Sequence, residues 1–364
     1  MILENNVKHA TEPLFHISKR APMPLKKSLP IRVGAGVAAF LLCALLCTLM
    51  TGANPLTFLV SFWNGLFFGT NIWTFLKEFL ILLGLAVAIT PAFKMKFWNI
   101  GAEGQALVGV LASIAVAFYT KDILPVWLML PLMLLASIIA SAIWALVPAI
   151  FKAKWGTNET LFTLMMNYVA VQLVKYVLAL WTKKDSMNAL SDGWLPKIPD
   201  ASVIPLIIVL LVTGAMFVYM NYTKQGYELS VVGESENTAR YIGINVNRVI
   251  MRTMIISGAL CGLVGFLIAS GFDAVVNADS IGGRGFTAIM ISWLAQFNPL
   301  IMIGSAGLIA FLERGADEAR TVLDITKAFP DMVIGIVLFF LIGCEFFIRY
   351  EIKFRKSKKE EGSK

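Results

Sequence analysis

A series of apolar runs, each close to the length that crosses a bilayer, constrains this chain more than any other feature. They lie at about residues 33–50, 72–93, 100–119, 125–151, 159–181, 202–222 and 251–272, with a last one at about 329–348. A helix needs roughly 20 apolar residues to cross hydrocarbon. Only helices and closed barrels satisfy all their backbone groups there. The expected fold is therefore all-α, a polytopic transmembrane bundle of about 8–10 spans within 33–350, with cytoplasmic tails at 1–32 and 351–364. Composition agrees, with 58% hydrophobic and 15% charged residues, where a soluble domain carries about 25% charged. The expected location is the cytoplasmic membrane of the cell, as a multi-pass protein.

The net charge of +8 does not indicate nucleic acid, because the basic residues flank apolar runs, as at Lys94 and Lys96, Lys152 and Lys154, and across 349–359. That is the positive-inside pattern of membrane topology. The first run is longer than the apolar part of a signal peptide and is followed by further spans, so a retained helix is expected. In the loop 182–201, placed outside, Lys183 and Lys184 run against the rule, beside Asp185, Asp192 and Asp200. Cys43, Cys47, Cys261 and Cys344 lie in apolar runs and His9 and His16 in the polar N-terminal part, which is no metal-site spacing.

Charge also counts crossings. Basic segments at both ends place both ends inside, which requires an even number of spans. Seven runs and the last one make eight. Residues 285–297 and 299–312 are two apolar pieces split by Asn298-Pro299, and they read as a pair of short or re-entrant helices adding zero or two crossings. Broken helices at membrane depth usually line a pathway, since freed backbone groups need protein or water as partners.

Four stretches carry polar side chains where they are costly. The first is Asn99-Ile100-Gly101-Ala102-Glu103-Gly104-Gln105, where Glu103 reads equally as a helix-edge carboxylate or as part of a pathway. The second is Thr157-Asn158-Glu159-Thr160, a helix start, with Asn167 about two turns deeper, where an interhelical bond is the simpler role. The third is the long polar segment 222–252, in which 235–242 reads as a short helix begun by Ser235 or Glu234 and stopped by Gly243. The fourth is Gly282-Gly283-Arg284-Gly285-Phe286-Thr287, followed by Trp293, Gln296, Asn298 and Pro299. Its glycines suggest a tight turn before a half-helix. Nowhere does the chain carry the Gly-Lys-Ser/Thr of a P-loop. Gly258 and Gly262 form a GxxxG pair of the helix-packing kind.

These stretches, in this order, resemble the permease subunits of bacterial ABC importers for ribose-type sugars and nucleosides, within the branched-chain amino acid/sugar permease superfamily. The resemblance rests on Asn99 to Gln105, on Gly233-Glu234-Ser235-Glu236-Asn237-Thr238-Ala239-Arg240-Tyr241-Ile242-Gly243-Ile244-Asn245, and on Gly283-Arg284-Gly285-Phe286-Thr287-Ala288-Ile289 with the later Asn-Pro. Asn158-Glu159-Thr160 and Leu164-Met165-Met166-Asn167-Tyr168 are most similar to the nucleoside branch, with Thr160, Met166 and Glu234 as departures from its usual pattern. The resemblance implies a non-enzymatic transport subunit paired with a second permease, an ABC ATPase and an extracytoplasmic substrate-binding lipoprotein. It implies that ATP and magnesium are held by the ATPase and that this chain binds no cofactor. It places ATPase coupling on 226–249, through Gly233, Glu234, Glu236, Asn237, Ala239, Arg240, Tyr241, Gly243 and Ile244. Substrate-pathway residues are expected among Asn99, Glu103, Gln105, Asn158, Glu159, Asn167, Phe286, Trp293, Gln296 and Asn298. Purine nucleosides such as guanosine are the expected cargo, with ribose or another simple sugar as the alternative. A stand-alone secondary transporter would instead use Glu78, Glu103 or Glu159 as coupling groups.

Overall fold

The structure is a computed structural model that describes residues 15–20, 25–67, 71–182, 186–187, 197–198, 203–272, 276–326 and 328–354. The loop charges Lys183, Lys184, Asp185, Asp192 and Asp200, together with His9 and residues 355–359, are not among them. The described chain is helical apart from two short antiparallel pairings, β1 (Phe15–Lys19) with β4 (Tyr350–Phe354) and β2 (Ser186–Met187) with β3 (Val276–Asn277). The helices in order are α1 (Leu25–Thr51), α2 (Pro55–Phe67), α3 (Asn71–Lys94), α4 (Ala102–Thr120), α5 (Val126–Trp155), α6 (Glu159–Thr182) and α7 (Val203–Tyr222). They continue with α8 (Lys224–Glu234), α9 (Glu236–Tyr241), α10 (Val246–Leu267), α11 (Arg284–Leu294), α12 (Pro299–Val322) and α13 (Phe329–Arg349). Among the described residues nine of these are long and apolar enough to cross a membrane.

The chain divides into two compact units. In the first, α1 packs on α13, with Arg32 paired to Glu345 at 3.0 Å. The rings of Phe40, Phe58, Phe62 and Phe329 fill its core. Helix α1 begins within the segment expected as a tail, at Leu25 rather than 33. Lys26, Lys27 and Arg32 interrupt the apolar pattern there but are compatible with a helix.

The second unit is built around α3 and α10, and α10 packs on α3, α4 and α5. Residues 80–93 of α3 are buried on every face, so this helix is shielded by protein rather than lipid. Small residues allow the close approach. An added Cβ on Gly109 would sit 2.7 Å from Ser137 Oγ and 2.9 Å from the Gly262 Cα, and one on Gly258 would sit 2.5 Å from Ala145 Cβ. The Ser137 hydroxyl donates to the Gly262 carbonyl at 2.5 Å. The GxxxG pair is thus part of a three-helix seam.

The split region differs from expectation. Helix α11 is short, eleven residues or about 16 Å, but the piece expected as a second short helix is only the first half of the 24-residue α12. The apolar run stops near 312, while the helix continues through Glu313, Arg314, Asp317, Glu318 and Arg320. Hydropathy measures the stretch that suits hydrocarbon, whereas charged residues of good helix propensity continue the helix beyond it. The Asp317–Arg320 pair, 2.8 Å apart, supports that turn.

The β1–β4 pairing sets residues 15–19 beside 350–354. Helix α11 runs parallel to α3, with Arg284 on Glu78 at one end and Ser292 on Thr90 at 3.0 Å near the other. Helix α10 runs antiparallel to α3, since Gly84 faces Val264 while Ala92 and Met95 cluster with Val249 and Ile250. The chain therefore runs one way in α10 and the opposite way in α11.

Helix α11 is bounded by left-handed turns. Gly282 and Gly283 precede it at φ +60° and +82°, values that glycine adopts freely. Behind it, Gln296 and Phe297 are left-handed at φ +51° and +60°, and the Phe297 N–H donates to the Ser292 carbonyl at 3.0 Å. A non-glycine residue costs about 1–2 kcal/mol in that conformation. Gln296→Gly is therefore expected to stabilise the purified protein by about 1 kcal/mol, read as a rise in thermal midpoint; an unchanged or lower midpoint would show that the turn carries no strain.

Candidate functional site

The functional stretches converge where α3 breaks before α4. Helix α3 closes with Lys96 left-handed at φ +61° and the Phe97 N–H on the Ala92 carbonyl at 3.0 Å. The chain then runs without helical bonding to Gly101, and such a stretch must find other partners for its backbone groups. Asn99, fully buried, accepts from the Gly101 N–H and from Gln105 Nε2, both at 3.0 Å. Its Nδ2 donates to Gln105 Oε1 at 3.3 Å and to Ser257 Oγ of α10 at 3.2 Å. From α6, Asn167 accepts from the Gly104 N–H and donates to the Ile100 carbonyl, both at 2.9 Å. Thr163 accepts from the Ile100 N–H at 3.2 Å. Gly104 has no room for a side chain, since an added Cβ would lie 2.8 Å from Asn167 Oδ1 and 2.9 Å from its Cα. Asn99 and Gln105 thus satisfy one another, and Asn99 and Asn167 satisfy backbone groups of the break.

Glu103 faces the other way, onto α11. Its Oε1 accepts from the Gly283 N–H at 2.9 Å and its Oε2 from the Gly285 N–H at 2.8 Å. A carboxylate here satisfies amides at the helix start and complements the positive end of the dipole. The approach requires glycine at 285, where an added Cβ would sit 2.6 Å from the Glu103 nitrogen. Arg284, between the two capped amides, reaches Glu78 of α3 through both carboxylate oxygens. Glu159 is paired with Lys152 at 2.8 Å. All three carboxylates that a secondary transporter would have used are therefore engaged with the protein.

The remaining pathway candidates separate by role. Asn158 accepts from the Leu161 N–H at 3.2 Å and Asn298 from the Leu300 N–H at 3.0 Å, so both cap helices. Gln296 stands in the left-handed turn, exposed. Phe286, Met290 and Trp293, spaced i, i+4 and i+7, line one face of α11 and are 40%, 45% and 48% exposed. Trp98, 43% exposed, stacks on Trp293 with centroids 5.5 Å apart.

The polar segment 226–249 forms two short helices and the start of a third. Thr223, Ser235 and Asn245 cap α8, α9 and α10, accepting from Gly226, Thr238 and Arg248 N–H groups at 3.1, 3.2 and 3.1 Å. The helix expected at 235–242 is α9, ended by Gly243 at φ +84°. Helix α8 lies outside the expected 235–242 helix, and Thr223 ahead of it is its local mark. Ala239 and Gly233 are buried and Ile244 half-buried, while Glu234, Glu236, Asn237, Arg240, Tyr241 and Gly243 are exposed, Tyr241 by 91%. Leu229, Val232, Ala239, Val246 and Val249 share one apolar core with Ala92, Met95 and Phe97. Arg252 is tied to Glu228 at 3.2 Å.

Residues 71–342 match the protein family described as branched-chain amino acid transport system / permease component. A glucose ABC transporter permease protein of Haloferax volcanii, TsgB13, is 34% identical over 75% of this chain and 76% of its own. A guanosine ABC transporter permease protein of Bacillus subtilis, NupP, is 30% identical over 86% of this chain and 92% of its own. A nucleoside ABC transporter permease protein of Lactococcus lactis, NupB, is 28% identical over 78% and 83%. A helical multi-pass chain without an ATPase motif, matched over three quarters of its length, belongs to the branched-chain amino acid transport system permease family, as a non-catalytic ABC importer subunit of the cell membrane that works with ATPase and binding-protein partners.

Proposed function

We infer that this chain is one of two permeases forming the pathway of a nucleoside importer, with purine nucleosides such as guanosine as cargo. The observation that carries the nucleoside reading is the exposed aromatic stripe of α11, Phe286 and Trp293, extended by Trp98. Flat rings on an exposed face can stack a nucleobase. The resemblance to NupP, which spans most of both chains, supports the same cargo. Two guanosine permease proteins of Bacillus subtilis, NupP and NupQ, are both similar to this chain, which supports a pair of different permeases. Uptake of labelled guanosine, competed by unlabelled guanosine, ribose or glucose in cells with and without the gene, tests the cargo. Uptake dependent on the gene and displaced only by guanosine is expected; gene-dependent uptake of ribose or glucose with guanosine unaffected would replace it.

The ATPase docks on 226–249, and a binding lipoprotein delivers substrate on the opposite side. ATP and magnesium belong to the ATPase. Helix α9 suits docking because Ala239 anchors it in the core while Arg240, Tyr241 and Ile242 project outward. Tyrosine and arginine beside apolar groups are the side chains that dominate protein interfaces. Arg240→Glu is expected to abolish co-purification of the ATPase while the chain still accumulates in the membrane. Retention of the ATPase at the wild-type level would move the docking site elsewhere.

A further inference from the structure

One short stretch, 95–101, lies outside any helix and touches both the docking segment and α11. On one side, Met95 and Phe97 lie in the apolar core formed by α8, α9 and the start of α10. An added Cβ on Gly233 of α8 would collide with the Lys94 carbonyl, so α8 lies directly on the end of α3. On the other side, the same stretch grips α11 at both ends. Trp98 stacks on Trp293 at 5.5 Å and Phe93 on Phe297 at 6.3 Å near the helix end. Glu103 holds the two amides at its start, at 2.9 and 2.8 Å. Between these grips, residues 95–101 are held mainly by the side chains of Asn99, Asn167, Thr163 and Ser257 rather than by a helical ladder.

We propose that residues 93–103 carry the motion of the docking segment to α11, with Glu103 and Trp98 as the positioning residues that make α11 follow. A helix transmits displacement as a rigid rod, but a break changes the angle between the elements it joins. When the ATPase moves α8 and α9, their shared core moves Met95 and Phe97. The break then shifts against α10 and α6, and α11 moves because it is clamped to the break at both ends. Gln296 and Phe297, already left-handed, form the hinge on the far side of α11, where strained residues are commonly placed in moving segments. The Glu78–Arg284 pair keeps the helix start against α3 during that motion. The effect of this device is that the wall bearing Phe286, Met290 and Trp293 rotates on ATP binding without any of its own residues touching the ATPase.

The proposal rests on ATPase docking at 226–249, so its test separates the two. The complete transporter, with its partner permease and ATPase, is prepared in a background with the four cysteines replaced. Spin labels are placed at Met290 of α11 and at Ile143, exposed on α5. ATP with vanadate should change the distance between the labels in the unsubstituted protein. Glu103→Gln and Trp98→Ala should each abolish that change and lower uptake per ATP hydrolysed by roughly tenfold, with the ATPase still bound and hydrolysing. A purely structural role would instead lower yield and leave the distance change intact in the molecules that fold. Because Trp98 is partly exposed, its alanine variant keeps the test available if Glu103→Gln fails to fold. An unchanged distance without substitution, or a full change in either variant, would overturn the proposal. Retention of the ATPase at the wild-type level by Arg240→Glu would refute the docking reading instead.

Discussion

Asn99→Leu is expected to lower the stability of the folded chain by about 4 kcal/mol. Leucine keeps the branched outline of asparagine, heavy atom for heavy atom, so the change removes bonding rather than creating space. Four hydrogen bonds disappear, to Gly101, to both ends of the Gln105 amide and to Ser257. Polar contacts between membrane helices average about 0.6 kcal/mol each, which gives roughly 2–3 kcal/mol for the four. The Gln105 amide, 1% exposed, is then stranded, at about 1–3 kcal/mol more. Native proteins hold only about 5–15 kcal/mol in total. Cys43, Cys47, Cys261 and Cys344 are all buried, so thiol labelling during heating reports unfolding directly. A midpoint lower by about 5 °C is expected. A fall of only a degree or two would mean that the Asn99 cluster is solvated rather than buried. Ser257→Ala should be mild by comparison, since Asn99 Nδ2 keeps its bond to Gln105.

Gly262→Leu should prevent the chain from accumulating as a folded membrane protein. An added Cβ alone would lie 2.9 Å from the Ser137 carbonyl carbon and from the Ser141 Cβ. Three more carbons have no space to enter, because α4, α5 and α10 meet there through Gly109, Ser137, Ser141 and Gly258. Overpacking a well-filled core costs about 1–3 kcal/mol when neighbours can shift, and here the neighbour is backbone. The loss should propagate to Asn99, whose partner Ser257 is on the same helix. Gly304→Leu is the matched control, since an added Cβ there meets nothing within 4 Å. Membrane abundance and a monodisperse chromatographic peak read both variants. Wild-type abundance of Gly262→Leu would show that the seam is looser than the contacts indicate.

The structure agrees with the sequence reading where information is local. The runs at 72–93, 100–119, 159–181 and 202–222 correspond to helices because a bilayer-length apolar stretch leaves a chain few alternatives. Ser235, Gly243 and Asn158 mark ends by capping, which acts over three or four residues. Two extents were misjudged for one reason. Helices α1 and α12 continue through charged residues, and hydropathy does not register a helix outside the hydrocarbon. Helix α2, at thirteen residues, is shorter than a span and leaves no bilayer-length apolar run.

The polar candidates show the opposite limit. Asn99, Glu103 and Asn167 stand out because polar groups in apolar surroundings need partners, but apart from the local Asn99–Gln105 pair those partners are distant: Ser257 is 158 residues from Asn99, Gly283 is 180 from Glu103 and Gly104 is 63 from Asn167. The sequence by itself determined that the chain is built for a bilayer, that its basic residues flank the apolar runs, and that it carries no P-loop motif. Those properties follow from composition, charge position and an absent motif. Only the tertiary structure decided that Glu103 holds the start of α11 and that Asn99 ties the break to α10. It also joined residues 93–103 to α8 and α9 through a common core. Which distant donor meets which acceptor is set by helix packing, and packing is a property of the whole fold.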